Sequence, residues 1–247
     1  MADAPRIVTG DRPAAGASDG VGTTPAARGT TPTWQGQRAA PTRLILVRHG
    51  QTPLSVDRRY SGRGNPDLTE VGRGQAAGAA RRVLAEIGAD RDPISAIVSS
   101  PLSRARATAE AIAQQIDVPV TVDEDLTETD FGAWEGLTFT EAAGRDPQLH
   151  PRWLADITVP APDGESFADV GHRVERVKHR LLRQYPGQVV VVVSHVTPIK
   201  LLLREALQSG PEILFRLHLD LASVSVAEFY PDGGSVVRLV NDTSHLR

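Results

Sequence analysis

The chain has 247 residues, of which 40% are hydrophobic and 23% charged, with a formal net charge of −3. This is the profile of an ordinary soluble globular protein with one sizeable core, and the acidic balance argues against nucleic acid as its main partner, since phosphate-backbone binding shows as a basic surplus or stripe. There is no cysteine, which excludes disulfides, thiolate nucleophiles and zinc–thiolate sites, and the longest apolar run, Val189 to Val193, is far too short to span a bilayer. A cytoplasmic location without membrane attachment is the expectation.

Residues 1–42 differ in kind: 27 of them are Ala, Gly, Pro or Thr, and Trp34 is their only aromatic. Such a segment buries too little apolar surface to offset its conformational entropy and reads as a disordered tether without the apolar stretch of a secretory signal. The domain is expected over residues 43–247. It opens with the buried-strand run Leu44 to Val47, which stops at Arg48-His49-Gly50. Pro53 to Asp67 reads as a polar functional loop. Thr69 then caps a helix to about Ile87, inside which Gly72-Arg73-Gly74-Gln75-Ala76-Ala77 imitates a dinucleotide fingerprint but lacks the preceding strand that motif needs.

A second buried strand is predicted over Ile94 to Ser99, a helix over Leu102 to Ile116 and a short strand over Pro119 to Val122. Thr138 to Glu141 and Ser166 to Asp169 carry capping-box spacing. The second of these opens a helix with Val170, Val174, Val177 and Leu181 on one face. Val189 to Val193 has the continuous apolar character of a central parallel strand and stops at Ser194-His195. Thr197 is expected to cap the next helix, with Pro198 at its first position. Val224 to Tyr230 and Ser235 to Val240 flank Pro231-Asp232-Gly233-Gly234 as a terminal hairpin. Strands alternating with helices predict a three-layer α/β/α domain with a largely parallel sheet.

Two apolar strands thus end in histidine, and a third ends in Ser99-Ser100-Pro101 just before Arg104. Ligands of open α/β sheets bind outside the carboxyl ends of the strands. Two imidazoles and two guanidiniums there suit phosphoryl transfer: arginine neutralises phosphate with a planar pair of donors, and a neutral imidazole is a competent nucleophile and a good leaving group. A carboxylic acid is also required to protonate the leaving alkoxide. Leu126 to Gly136 offers Glu128, Asp130 and Glu135 among aromatic residues.

These motifs, in this order, resemble the histidine phosphatase (phosphoglycerate mutase-like) superfamily: LVRHGQT, Arg59 ten residues after His49, Asp67-Leu68-Thr69 with Gly72 and Gln75-Ala76, SSPLSRARATAEA, LTETDFGAWEG and VVVVVSH. The likeness spans residues 43 to 240. It is strongest to the acid phosphatase or α-ribazole phosphatase branch, and within it to the C-terminal half of actinobacterial bifunctional RNase H/acid phosphatase proteins, through SHVTPIKLLL and LHLDLASVSVAEFY. The 42 residues before the domain are too few to hold an RNase H half.

The resemblance implies a metal-independent phosphomonoesterase without cofactor, acting on a small-molecule phosphate monoester with an acidic to neutral optimum. By the same carry-over, His49 is the phosphorylated nucleophile and Glu128 the acid and later the base. Arg48, Arg104 and His195 bind phosphoryl oxygens, and Arg59, Gln51 and Thr52 line the pocket. Asp130, two residues from Glu128, is the competing acid. Ser55 and Val196 depart from the asparagine and glycine usual in the family. A phosphoglycerate mutase is the alternative enzyme, disfavoured because only 66 residues lie between Glu128 and His195. A phosphoprotein-binding module without catalysis is the alternative from another class, and homodimerisation is left open. His150, His172, His179, His218 and His245 read as surface or helix-face histidines, Arg63 and Arg106 as solvated charges, Glu135 as structural, and Trp134 and Trp153 as packing residues.

Overall fold

The computed structural model describes residues 39–90 and 93–247, so the expected tether over residues 1–42 lies outside the described residues up to residue 38. Six strands form one sheet in the order β3-β2-β4-β1-β5-β6: β1 (Thr42–Arg48), β2 (Ile94–Ser99), β3 (Val120–Val122), β4 (Val189–Ser194), β5 (Val224–Phe229) and β6 (Ser235–Asp242). The first four strands of that order run parallel, and the terminal hairpin joins antiparallel to β1 through β5. Every residue of β4 is buried, as its unbroken run of valines requires of a strand covered on both faces.

Alternate residues of the central strands feed two separate cores, because successive strand side chains point to opposite faces. Leu44, Leu46, Val190 and Val192 pack with Val170, Val174, Val177 and Leu181 of α6 (Phe167–Gln184) and with Leu201 to Leu203 of α7 (Val196–Ala206). Ile45, Val47, Val191 and Val193 pack on the other face against α2 (Glu70–Asp90) and α3 (Ser103–Ile116), through Ala79, Ala80, Val83, Ala105, Ala109 and Ile112. The three layers and the mostly parallel sheet are therefore those expected from the alternation of elements.

Short helices complete the chain: α1 (Pro53–Val56), α4 (Phe139–Arg145), α5 (Leu149–Ala155) and α8 (Ile213–Arg216). Thr138 and Ser166 form reciprocal capping boxes with Glu141 and Asp169, as their spacing indicates. Two local expectations are corrected. The segment after Pro53 is not wholly loop, because Thr52 and Ser55 form a capping box that starts α1. The cap of α7 is His195 rather than Thr197, so the helix begins at Val196 directly after the strand-end histidine.

The close approach of β1 and α2 depends on two glycines. A Cβ on Gly50 would lie 2.4 Å from the Gly72 carbonyl oxygen, and one on Gly72 would lie 2.1 Å from the Gln51 carbonyl oxygen. Gly72, in the stretch that imitates a dinucleotide fingerprint, serves helix-to-loop packing instead.

Candidate active site

The register of the sheet builds the site. Arg48 pairs with Ser194 across β1 and β4, so His49 and His195 leave adjacent parallel strands side by side, and the His49 N–H donates to the Ser194 carbonyl at 3.1 Å. Their ring centroids are 5.0 Å apart with planes inclined by 58°. Ser100, at the end of β2 on the other side of β4, donates its N–H to the Val193 carbonyl and brings the start of α3 to the same edge. Three strand ends thus meet outside the carboxyl edge of the sheet.

Hydrogen bonds set the imidazole tautomers. His49 Nδ1 lies 2.7 Å from the Gly50 carbonyl oxygen; a carbonyl only accepts, so Nδ1 carries the proton and Nε2 keeps its lone pair. His195 Nε2 lies 2.7 Å from Ser100 Oγ, which itself accepts from the Leu102 N–H at 3.4 Å. With the Ser100 hydroxyl proton directed at Nε2, the histidine keeps Nδ1–H as its donor. Both imidazoles are held neutral well below the usual histidine range, first by burial; then His49 by the Arg48 and Arg104 charges, and His195 by Arg104, its neighbour His49 and Arg48.

Arg48 Nε, Arg104 Nε and His195 Nδ1 are all buried without a partner. Leaving a buried donor unpaired costs about 1–3 kcal/mol; these three belong to the chain neighbour of His49, to its ring neighbour and to an arginine whose charge acts on it, and together they suit an acceptor-rich ligand. Arg48 donates its Nη1 to the Leu219 carbonyl at 2.5 Å, and burial lowers its pKa to about 10, leaving it charged at neutral pH. Arg104, wholly buried, gives Nη1 to the Gly64 carbonyl and Nη2 to those of Ser61 and Gly62. Glu135 binds the same loop from the other side through the Gly62 and Gly64 N–H groups, in keeping with a structural role.

Glu128 is buried on the wall of the cleft, one carboxylate oxygen accepting the Thr129 N–H at 2.8 Å. Asp130 faces elsewhere: it caps the Gly132 N–H and pairs with Arg63 at 3.5 Å. Of the two neighbouring acids, Glu128 alone lines the cleft that holds His49. The Glu128 backbone is clamped by Arg173 of α6, which donates to the carbonyls of Asp125, Thr127 and Glu128 and pairs with Glu165. Ser194 Oγ adds a bond to the Leu126 carbonyl at 2.7 Å. Arg173 was not among the expected site residues. Its signal in the sequence is a lone charge within the apolar stripe of Val170, Val174 and Val177.

The other expected residues are held in different ways. Thr52 and Arg59 line the cleft, but Arg59 Nη1 is held by the Gly136 carbonyl and by Glu141, each at 2.9 Å. Gln51 is turned to α2: its side-chain oxygen accepts from Thr69 Oγ1 at 2.8 Å. Ser55 Oγ is engaged with the Thr52 backbone and Val196 lines the cleft. Lys200, missed in the sequence, also lines it, and its Nζ donates to the Leu214 carbonyl at 2.6 Å. Burial lowers the Lys200 pKa, opposed by the charge of Glu128.

The remaining histidines divide. His218 is exposed beside Asp220, as a surface histidine, whereas His150 lies on α5 with its side chain buried and hydrogen-bonded to Tyr60 Oη at 2.9 Å, the helix-face alternative. Trp134 and Trp153 are buried packing residues as expected. Among the described residues no group of three or more His, Cys, Asp or Glu side chains is placed to hold a metal ion.

Comparison with known proteins agrees with this geometry. The profile of the histidine phosphatase superfamily (branch 1) matches residues 44–242. A bifunctional protein of Mycobacterium tuberculosis is 60% identical over 217 residues, 88% of this chain but 58% of that protein, so the chain spans little more than half its length. Phosphoserine phosphatase 1 of Hydrogenobacter thermophilus is 32% identical over 83% of this chain and 94% of its own. The solved structure of mycobacterial glucosyl-3-phosphoglycerate phosphatase with VO3 has a TM-score of 0.71 at 31% identity, covering 82% of this chain and all of that one. The profile match runs from β1 to β6 and takes in the whole strand-end constellation: the chain belongs to the histidine phosphatase superfamily, branch 1.

Proposed function

We propose that the protein is a phosphomonoesterase that hydrolyses small phosphorylated metabolites through a phosphohistidine. The observation that carries this reading is that Arg48, Arg104 and His195, which act on the His49 imidazole by charge or ring contact, each keep a buried donor without a partner, while Nδ1–H of His49 is spent on Gly50 and its Nε2 keeps the lone pair. The phosphatase names of two of its relatives support it.

In the first step the lone pair of His49 Nε2 attacks phosphorus while the bond to the alcohol oxygen breaks. The donors of Arg48, Arg104 and His195 take the charge on the non-bridging oxygens. Glu128, protonated at the start, passes its proton to the departing alkoxide. In the second step the Glu128 carboxylate removes a proton from water, the water oxygen attacks phosphorus, and the P–N bond returns its electron pair to Nε2. Inorganic phosphate and the starting enzyme result. An acidic to neutral optimum and a cytoplasmic location belong to the same reading.

The test is a single turnover on 32P-labelled ester quenched in alkali. An alkali-stable, acid-labile phosphoprotein formed by the wild-type chain and lost in His49→Ala supports the proposal. Full activity of His49→Ala on p-nitrophenyl phosphate overturns it. Turnover of 3-phosphoglycerate to 2-phosphoglycerate, with little release of phosphate, would assign a mutase instead.

A further inference from the structure

The cleft beside the phosphate donors, about 1060 Å³ in volume, carries more apolar wall than phosphoryl transfer requires. Aromatic rings run continuously along it. Phe139 lies 4.6 Å from Tyr60, Tyr60 4.7 Å from Phe131, Phe131 6.2 Å from Trp153, Trp153 4.5 Å from Phe167 and Phe167 5.9 Å from Phe215, between ring centroids. The middle of this row is core, but its ends are open: Phe139 is 55% and Phe215 46% exposed, and Leu154 of the same cleft is 36% exposed. Large exposed apolar groups continuous with a buried cluster mark a binding surface, and here the surface opens on the reacting centre.

Two further observations select the occupant. Trp153 Nε1 and Ser61 Oγ, both on residues lining the cleft, are buried without a partner and can serve an acceptor on a bound molecule. Of the cleft's cations besides Arg48, Arg59 is paired with Glu141 and Lys200 bonded to the Leu214 carbonyl, while Arg58 and Arg247 are exposed, where solvent and salt screen their charge. We propose that this wall is a leaving-group subsite. It selects phosphomonoesters of neutral alcohols with an aryl or extended alkyl body over esters that carry a carboxylate beside the phosphate. The proposal builds on the phosphomonoesterase reading of the same site, and the experiment separates the two.

The substrates are 2-phenylethyl phosphate, ethyl phosphate and O-phosphoserine, all esters of poor alkoxide leaving groups, so chemistry does not dominate the comparison. Burying a phenyl ring against such a wall is expected to raise kcat/KM about tenfold or more over ethyl phosphate. In Phe139→Ala/Phe215→Ala, whose altered side chains are half exposed, that ratio should fall to within about twofold of one. A wild-type ratio near one, a ratio retained in the variant, or phosphoserine as the preferred ester would each overturn the subsite. If no ester is hydrolysed, the phosphomonoesterase reading fails and the subsite is judged by calorimetry. Binding of 3-phenylpropylphosphonate about tenfold tighter than propylphosphonate supports it, and equal binding overturns it. A ratio near one, together with a dimer that dissociates in the double variant, would assign the rim to a second copy of the chain.

Discussion

The imidazoles of His49 and His195 stand 5.0 Å apart at the ends of two adjacent parallel strands, each with one ring nitrogen committed to a neighbour and the other free. The Gly50 carbonyl holds Nδ1–H of the first, so its free nitrogen is a lone pair; with the Ser100 hydroxyl donating to Nε2 of the second, its free nitrogen is a donor. In the proposed reaction this asymmetry makes one histidine the nucleophile and the other an oxygen-binding group.

The role of Ser100 can be read through phosphate affinity. Ser100→Ala removes the hydroxyl that sets the His195 tautomer, leaving Nε2 unpaired at a cost of about 1–3 kcal/mol. Inhibition by inorganic phosphate should weaken by roughly tenfold or more, with the fold intact by circular dichroism. Ser100→Thr should recover most of the loss.

Protonation of the two histidines links stability to pH. Each has its folded pKa depressed well below 6.5, so above pH 6.5 folded and unfolded states are both neutral at these groups and their contribution to stability is fully present. As pH falls below 6.5 the unfolded chain takes up protons that the folded state refuses. The free energy of unfolding then declines by up to about 1.4 kcal/mol per pH unit for each histidine. Urea titrations between pH 7.5 and 5.5 should show this decline, with a shallower slope in His195→Asn.

The general-acid role proposed for Glu128 should matter in proportion to the help the leaving group needs. Glu128→Gln should lower kcat on an alkyl phosphate by about 10²–10⁴. The loss on p-nitrophenyl phosphate, whose phenolate departs without a proton, should be at least tenfold smaller. Equal losses on both would move the proton donor elsewhere, with Asp130→Asn as the next variant to assay.

Removing the Arg173 side chain leaves the carbonyls of Asp125, Thr127 and Glu128 without this donor and takes one of two arginines from Glu165, which keeps Arg63. Each buried acceptor left unpaired costs about 1–3 kcal/mol. Arg173→Met should therefore lower the urea midpoint sharply, and at temperatures where it is still folded it should lower kcat more than it raises KM, because the acid is displaced.

Gly72→Ala tests the close approach of α2 to the loop after β1 that carries His49. The new methyl meets the Gln51 backbone rather than a flexible side chain, at 2.1 Å before relaxation. Destabilisation of about 1–3 kcal/mol is expected, accompanied by reduced activity, since Gln51 lies two residues from His49. Gly74→Ala, where a Cβ meets nothing within 4 Å, is the control that should be neutral or slightly stabilising.

Local patterns in the chain carried much of this architecture. The valine run of β4, the stripe on α6 and the capping boxes at Thr138 and Ser166 all appear where spacing put them, because each depends on backbone propensity and burial periodicity within a few residues. The strand-end histidines were legible for the same reason. What tertiary structure alone decided is which distant groups meet. Insertion of β4 between β1 and β2 sets His195 beside His49 and Ser100, and no local signal encodes strand order. The orientation of long polar side chains was likewise set by partners remote in the chain: carbonyls of residues 61–64 hold Arg104, the acid loop holds Arg173, Thr69 draws Gln51 away, and Tyr60 buries His150. A guanidinium or imidazole has several rotamers of similar energy, and only the packed fold, by making every unpaired polar atom costly, selects one.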